Sequence, residues 1–368
     1  MATPSGMTYR ASGVDTEQEE SGLEELRACV EKSFAFRRGR LGAVQLDLGF
    51  YANVLDIGNN TGLAISTDGV GTKILIAQMM GKLDTVGIDC VAMNVNDVIC
   101  VGAQPLAMVD YVAVESADPA MLGELAKGLL KGAELADISI PGGEVAQIRE
   151  MIRGVREGSA FDLAGTCVGT VPLDRILVGA NIRENDLVVG LRSTGVHSNG
   201  LSLARRVFFE RLGWAADRYV PELSRTIGEE LLEPTRIYVR EAMAMLQAGL
   251  AVKAFAHITS DGFLNLARVH AEVGFVLDDI PEPQPIFHLI REHGAVSWEE
   301  MYDVYNMGIG FCVVVSANDA ASVCSIAEQH GVAASIIGKA VNDPKKQVRL
   351  TSVAAHGLLG KDGRFYAE

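Results

Sequence analysis

The spacing of apolar residues alternates between the period of a strand and that of a helix along most of this chain. Residues 63–65 form an apolar run that predicts a strand, and the apolar run from Ile74 predicts a helix. The segment between them, Thr67-Asp-Gly-Val-Gly-Thr-Lys73, is a glycine-rich loop. The order of strand, glycine-rich loop and helix recurs in both halves of the chain, which predicts an α/β fold with mixed sheets.

Similar patterns predict the other elements. Asp118 followed by Pro119 is typical of a helix N-cap and a first helical position. Residues 1–22 are polar and rich in glutamate, and we expect them to be mobile until a ligand binds. Helices are expected at residues 23–34, 84–101, 119–136, 201–212, 233–249 and from a turn after 262 to about 270. Strands are expected at residues 105–115, 138–140, 161–171, 187–191, 252–257, 311–315 and 335–338.

A polar connector at residues 172–186 separates two series of elements. Because 368 residues exceed what one ordinary core accommodates, we place a domain boundary near residue 178. The N-terminal domain then comprises residues 1–178, of which 1–60 are partly a flexible lid. The C-terminal domain comprises residues 179–368.

Composition and charge narrow the possible functions. Acidic residues outnumber basic residues by 47 to 32, and the formal net charge of −15 argues against a nucleic-acid binder. The 6 cysteines form no Cys-x-x-Cys pair and lie in apolar runs, so we expect reduced thiols in a cytoplasmic protein. Since no apolar run reaches about 18 residues and the N-terminus lacks an apolar secretion signal, we expect no membrane partner.

The glycine-rich loop has the chemistry of an anion site. Gly69 and Gly71 allow a tight turn and a close approach of the backbone to a ligand, and the helix start beyond them offers free N–H groups. Thr72 and Lys73 add a hydroxyl group and a positive charge. Asp68 cannot itself favour an anion, which suggests a Mg²⁺ ion between carboxylate and phosphate. The alternative is an ordinary strand-to-helix turn with one satisfied acid.

Three acids lie at or near the ends of apolar elements. Asp68 follows a strand, Asp97 lies late in a predicted helix, and Glu144 follows two glycines. Hard oxygen ligands held rigidly, with phosphates completing the shell, are what a Mg²⁺–nucleotide site needs. Each acid alone could cap a helix or pair with an arginine, but three acids beside glycine turns favour the metal site.

Further polar segments are candidates for binding or catalysis. Residues 193–200 combine two glycines with polar side chains at a helix start, so this loop can also hold an anion. His197 in it can donate to phosphate or transfer a proton near neutral pH, or it can be structural. For His257, which precedes another polar turn, both roles stay open. The arginines within 37–40 form a basic patch that is either a solvated loop or a lid over phosphates.

Together these motifs resemble the aminoimidazole ribonucleotide synthetase family, the phosphoribosylformylglycinamidine cyclo-ligases of purine synthesis. The opening Tyr9-x-x-x-Gly-Val-Asp15 and the stretch Pro234-Thr-Arg-Ile-Tyr238 look specific to this family. Other motifs are shared with a superfamily that includes thiamine-phosphate kinase and selenophosphate synthetase. The matching segments are residues 9–15, 67–73, 84–97, 102–105, 110–111, 142–144, 162–165, 197–200, 234–239, 256–259 and 306–310.

The resemblance implies a two-domain PurM-like fold. In this fold the N-terminal sheets of a homodimer pair into a barrel, and the C-terminal domain is an α/β sandwich. It also implies that ATP phosphorylates the formyl oxygen of a linear amidine ribonucleotide, whose own amino nitrogen then closes the imidazole ring and expels phosphate. The resemblance further implies that Mg²⁺ is held by Asp68, Asp97 and Glu144.

The resemblance assigns the remaining roles residue by residue. Lys32 would lie on a lid and act in catalysis with Lys73 and His197. The residues that would contact the ribonucleotide substrate are His197, Ser198, Asn199, Thr259 and Asp261. The residues that would bind ATP and its metal are Asp68, Gly69, Val70, Gly71, Thr72, Lys73, Asp97, Asp110, Gly143 and Glu144.

Three segments depart from the usual pattern of this family. One is the glycine-rich lid before the first strand, which reads Gly42-Ala-Val-Gln-Leu-Asp-Leu-Gly49. Residues 145–150 read Val-Ala-Gln-Ile-Arg-Glu instead of Thr-Ala-Glu-Met-Pro-Gly, and Ser260-Asp261 interrupts a usual run of glycines. An aspartate at this point is similar to the kinase and selenophosphate branches. Another ATP-dependent enzyme of the superfamily, with a different acceptor, therefore stays an alternative. A non-catalytic nucleotide-binding subunit is the second alternative.

Overall fold

Two large β-sheets, one from each half of the chain, organise the computed structural model, which describes residues 6–14, 16–353 and 357–368. The strands are β1 Ala43–Val44, β2 Asn53–Asp56, β3 Thr61–Gly69, β4 Gln104–Val114, β5 Ser139–Gln147, β6 Phe161–Pro172, β7 Leu187–Arg192, β8 Tyr219–Val220, β9 Arg225–Thr226, β10 Ala254–His257, β11 Gly274–Leu277, β12 Ile309–Val315, β13 Ala334–Val341, β14 Val348–Leu350, β15 Leu358–Lys361 and β16 Arg364–Ala367. The α-helices are α1 Thr16–Val30, α2 Lys73–Met80, α3 Val86–Cys100, α4 Pro119–Ala136, α5 Leu201–Arg205, α6 Ile227–Leu231, α7 Val239–Gln247, α8 Pro285–Gly294, α9 Trp298–Val304 and α10 Ala320–Gln329.

The first sheet has the strand order β1-β2-β3-β6-β4-β5, with only the β4–β5 pair parallel. Burial alternates along β3, where Gly62, Ala64 and Ser66 are buried on one face. Helix α3 packs on this inner face, and α4 packs on α3. The outer face carries half-exposed apolar side chains, among them Val109 and Tyr111. The two faces therefore differ: one is a core surface and the other is not.

The second sheet has the order β10-β12-β7-β13-β11-β14-β15-β16. Its pairs are antiparallel except β11–β14, which is parallel. Strand β12 is buried at every position, because the neighbouring strands and packed layers leave neither face to water. The predicted α/β class with mixed sheets is thus confirmed. Within the described ranges, no helix has both the length and the hydropathy that crossing a bilayer requires.

Most elements predicted from periodicity are confirmed with small shifts at their ends. Asp118 caps α4 as predicted, accepting hydrogen bonds from the N–H groups of Ala120 (2.7 Å) and Met121 (3.0 Å). Between β6 and β7 the chain forms a short 3-10 helix, Leu173–Arg175. The division of the chain near residue 178 stays a prediction.

Four predicted elements differ from the observed ones. Helix α1 begins at Thr16, so residues 16–22 of the segment 1–22 expected to be mobile are helical, since glutamate is a good helix former, while residues 1–5 and 15 lie outside the described residues. The helix predicted from residue 201 is α5 followed by a π-helix, Arg206–Arg211. The turn after residue 261 forms a 3-10 helix, Gly262–Arg268. The helix predicted from residue 233 begins only at Val239, because the backbone before it is bonded to α3.

Candidate active site

Asp68 lies on the inner face at the end of β3, held by its backbone. Asn94 of α3 accepts a hydrogen bond from Asp68 N (3.0 Å) and donates one to Asp68 O (3.1 Å). The Asp68 carboxylate accepts a bond from Gly69 N at 2.7 Å. Asn94 therefore bonds α3 to the strand end that carries the candidate metal ligand.

Asp97 lies one helical turn after Asn94 and is the strongest neighbouring charge acting on Asp68. Its Oδ1 atom is 2.9 Å from Nδ1 of His257, which ends β10 in the second sheet. His257 is fully buried, whereas the Asp97 side chain is 18% exposed and so reaches solvent. The two carboxylates therefore lie near each other between the halves of the chain, while their predicted role as metal ligands stays a prediction.

The electrostatics of this pair fit a nucleotide-bound cation. Burial, followed by the negative charge of Asp97, raises the pKa of Asp68 to about 6. Among the described residues, no three His, Cys, Asp or Glu side chains form a group that could hold a metal ion. Mg²⁺ is commonly bound by one or two carboxylates together with substrate phosphates and water. Two carboxylates that repel each other therefore suit an ion that arrives with a nucleotide.

Asp110, Gly143 and Glu144 lie further along the same sheet. Strand register aligns Asp68 with Gly165, Gly165 with Asp110, and Asp110 with Gly143. A Cβ atom at Gly143 would lie 2.5 Å from Oδ1 of Asp110, so this glycine leaves room for that carboxylate.

Glu144 is exposed, and as the neighbour of Gly143 its side chain belongs to the outer face. Three strand spacings separate this position from Asp68, roughly 14 Å. Within one chain the structure brings Asp68 and Asp97 together but not Glu144.

The turn between β3 and α2 adopts the conformation that its glycines permit. Gly71 has φ +70° and no atom within 4 Å of a Cβ position, so the backbone there borders open space. Val70 is buried, and its N–H donates to Leu163 O (3.1 Å). Thr72 Oγ1 is 3.1 Å from Ser202 Oγ at the start of α5. The turn is thus fixed between both halves while one side of it stays open to a ligand.

Lys73 is fully buried rather than open to a phosphate. Its Nζ atom lies 2.8 Å from Oδ1 of Asp89, which is equally buried, and also donates to Glu233 O. The same Asp89 oxygen accepts bonds from Ser198 Oγ (3.2 Å) and Thr235 N (2.7 Å). In this conformation the ammonium group joins segments of the two halves. Its predicted contact with ATP stays a prediction and requires the ion pair to open.

His197 is also buried, with φ +63° and Nε2 as an acceptor from Thr194 N at 3.2 Å. Burial, followed by the positive charge of Lys73, lowers the pKa of His197 well below its usual value. In this conformation the ring is enclosed and neutral near pH 7, which favours the structural alternative, and the catalytic role of His197 stays a prediction. Gly310 makes space for it, because a Cβ there would lie 2.6 Å from Cε1 of His197 and 2.2 Å from the Tyr238 hydroxyl.

The other predicted residues lie around this centre at different depths. Ser198 and Asn199 are half-buried, and Ser198 is 2.9 Å from Thr235 Oγ1. Asp261 is exposed with φ +69° and pairs with Arg268 (3.3 Å), while Thr259 is half-buried. Lys32 is exposed in the 3-10 helix Glu31–Phe36. Their roles stay predictions.

Asn94 and Asp89 were not predicted as functional, and His257 was left open. Helical spacing was the available signal, because Asn94 lies three residues before Asp97 and hence on its face of the helix. No comparable signal links Asp89 to Ser198 and Thr235, which are more than a hundred residues away.

Known proteins resemble this chain over nearly its whole length. Models described as AIR synthase related protein match residues 49–171 (N-terminal domain) and 183–351 (C-terminal domain). The phosphoribosylformylglycinamidine cyclo-ligase of Methanothermobacter thermautotrophicus is 47% identical over 320 residues, 87% of this chain and 91% of that protein. The protein of the same name from Methanosarcina acetivorans is 44% identical over 336 residues, 91% and 95% of the two chains.

Solved structures with lower identity share the fold. A chain of the HypE–HypF complex matches with a TM-score of 0.60 and 16% identity, over 92% of this chain and 99% of that one. Thiamine-monophosphate kinase from Stenotrophomonas maltophilia matches with a TM-score of 0.58 and 19% identity, over 88% and 95%. T. maritima PurL complexed with ADP matches with a TM-score of 0.53 and 14% identity, over 87% of this chain and 45% of that one.

Proposed function

The chain belongs to the phosphoribosylformylglycinamidine cyclo-ligase family of AIR synthase related proteins, and we propose that it uses ATP to cyclise formylglycinamidine ribonucleotide to aminoimidazole ribonucleotide. It is thus an ATP-dependent ligase of purine biosynthesis. The observation that carries this conclusion is the 47% identity with an enzyme of that name over 91% of its length.

The proposed reaction proceeds in two steps, phosphorylation and then ring closure. The formyl oxygen of the substrate attacks the γ-phosphorus of ATP, a new P–O bond forms, and the bond to the β-phosphate oxygen breaks to release ADP. The amino nitrogen of the amidine then attacks the former formyl carbon, closes the ring and expels phosphate, while the nitrogen loses a proton. Phosphorylation converts a poor leaving group into a good one. The protein must therefore chiefly position the reactants and neutralise phosphate charge.

Asp68 and Asp97 are the residues that we propose to hold Mg²⁺ with the phosphates of ATP. Bound there, the ion would neutralise phosphate oxygens. The support is that Asp68, at the end of β3, lies near enough to Asp97 of α3 for the negative charge of Asp97 to help raise the pKa of Asp68. The open side of the turn at Gly71 supports a place for phosphates nearby. Asp110 lies on the same inner face and can contribute a further hydrogen-bond acceptor.

We further propose a homodimer in which the outer face of the first sheet is covered by a second copy. Val109 and Tyr111 are each 46% exposed on that face, an unusual position for large apolar side chains in a sheet. Glu144 belongs to the same outer face, on the opposite side of the sheet from Asp68, so the second copy would cover it. The proposed cytoplasmic location is supported by free thiols at all 6 cysteines.

The proposed enzyme is tested with purified full-length chain, formylglycinamidine ribonucleotide, ATP and Mg²⁺. We expect ADP, phosphate and the imidazole product in equal amounts, with Asp68→Asn as the inactive, folded control. ADP release without ring closure would favour a superfamily kinase with another acceptor. A folded protein that binds ATP but releases no ADP with this substrate would contradict the proposal.

A further inference from the structure

The buried ring of His257 connects the candidate metal site to a segment far from it. His257 ends β10 with 0% exposure, and its Nδ1 atom is 2.9 Å from Oδ1 of Asp97. On the other side of the ring, Nε2 is 3.4 Å from Nδ2 of Asn96. The ring is thus held between two consecutive residues of α3, one on each nitrogen.

The partners of the ring fix where its proton lies. A carboxylate only accepts, so Nδ1 of His257 carries the hydrogen that reaches Asp97. An amide nitrogen only donates, so Nε2 accepts from Asn96. Both bonds therefore require the same tautomer, in which Nδ1 carries the hydrogen and donates while Nε2 accepts.

The amide of Asn96 is itself oriented by backbone groups. Its Nδ2 donates to Arg236 O (2.8 Å), and its Oδ1 accepts from Tyr238 N (2.9 Å). A flipped amide would place two donors or two acceptors face to face, so the orientation is settled by these contacts. Donation therefore runs in one direction, from Tyr238 N through Asn96 and His257 to the Asp97 carboxylate.

We propose that His257 is a positioning residue for Asp97, and that Asn96 and the backbone of residues 236–238 fix the orientation of its ring. The inference rests on the proposed function, because it gives Asp97 its role toward the Mg²⁺–ATP complex. The bond to His257 holds one carboxylate oxygen and opposes the repulsion from Asp68, which would otherwise turn Asp97 away. Outer partners of this kind typically change metal affinity 10- to 100-fold when removed.

Two variants of equal polarity test this inference. His257→Asn places its amide nitrogen where Nδ1 lies and keeps the donor toward Asp97. His257→Gln extends its amide to the position of Nε2 and leaves no donor at the position of Nδ1, which faces Asp97. The control is His293→Asn, because the ring of His293 packs beside Trp214, away from this site.

The readout is a Mg²⁺ titration of the full chain with a non-hydrolysable ATP analogue, followed by the rise in Tm, together with the Mg²⁺ dependence of turnover. For His257→Gln the half-saturating Mg²⁺ concentration should rise 10- to 100-fold, and for His257→Asn it should stay within about threefold of the parent. KM for the ribonucleotide should not change. Equal Mg²⁺ dependence of all variants, or equal loss in both His257 variants, would overturn the inference.

A second measurement covers the case in which the variants do not fold. The ¹⁵N spectrum of the unmodified chain, labelled at histidine, reports the tautomer of His257, whose ring is 6.4 Å from that of Phe311 and can be assigned through it. A proton on Nδ1 is expected, and a proton on Nε2 would overturn the inference. If Asp68→Asn also leaves Mg²⁺ and ATP binding unchanged, the proposed function itself fails instead.

Discussion

Replacing Lys73 with methionine would leave the Asp89 carboxylate buried without its counter-charge. Both side chains are 0% exposed, so water cannot take the place of the lost partner. Removing one member of a buried ion pair costs roughly 3–5 kcal/mol. Ser198 and Thr235 would still donate to the same Asp89 oxygen, which places the expected loss near the lower limit, about 3 kcal/mol.

A double variant separates the charge pair from the packing around it. Asp89→Asn keeps an oxygen for Ser198 and Thr235 but leaves the Lys73 ammonium group uncompensated. Lys73→Met combined with Asp89→Asn removes both charges, so it should be more stable than the sum of the two single changes predicts. We expect a coupling energy of about 2 kcal/mol from the double-mutant cycle.

The assay is urea unfolding followed by far-ultraviolet circular dichroism, with ATP turnover measured on the folded variants. The ion-pair reasoning predicts a lower unfolding midpoint for Lys73→Met. If this variant unfolds at the same urea concentration as the parent while turnover falls more than about 100-fold, Lys73 is the phosphate contact predicted from the sequence. The assignment of its charge to Asp89 would then be refuted.

Four further outcomes are expected. Asp68→Asn should lower ATP turnover by orders of magnitude in a steady-state assay without lowering Tm; unchanged turnover would remove Asp68 from the site. Burial and the charge of Asp97 raise the Asp68 pKa from 3.8 to about 6. Protonation of Asp68 therefore favours the folded state. This contribution to the free energy of unfolding is fully present below pH 3.8 and is lost as pH rises through 6. Since Mg²⁺ competes with that proton, its stabilising effect with ATP should be small at pH 5 and near maximal above pH 7, as thermal melts would show; a flat response would contradict this. Gly310→Ala, whose Cβ would meet Tyr238 and His197, should cost roughly 1–3 kcal/mol in urea unfolding, whereas Gly123→Ala, with nothing within 4 Å, should cost none. Tyr111→Glu should convert a dimer to a monomer in sedimentation, and a parent chain that is already monomeric would contradict the proposed interface.

Local signals predicted the elements of the site well. The alternation along β3, the glycines of the turn and the proline-led cap of α4 are properties of neighbouring residues, and sequence shows them directly. Asp68 and Asp97 were predicted together because each ends or nearly ends an apolar element. These predictions depend on periods of two and 3.6 residues, which do not require knowledge of strand partners.

The remaining features depend on pairing that is distant in sequence. Whether Glu144 faces the inner or outer side is decided by the register of β5 on β4, and a shift of one residue would reverse it. The burial of Lys73 depends on Asp89 in another helix. The late start of α7 follows from tertiary bonds of residues 235–238 to α3, which override a favourable helical pattern.

Helix α3 is bonded to both halves of the molecule: Asn94 reaches β3, while Asp89 and Asn96 reach the segment before α7. A rotation that separated the two halves would break these buried hydrogen bonds and expose the charge of Asp89 to water. We therefore expect reactants to enter and leave while the two halves stay joined through α3.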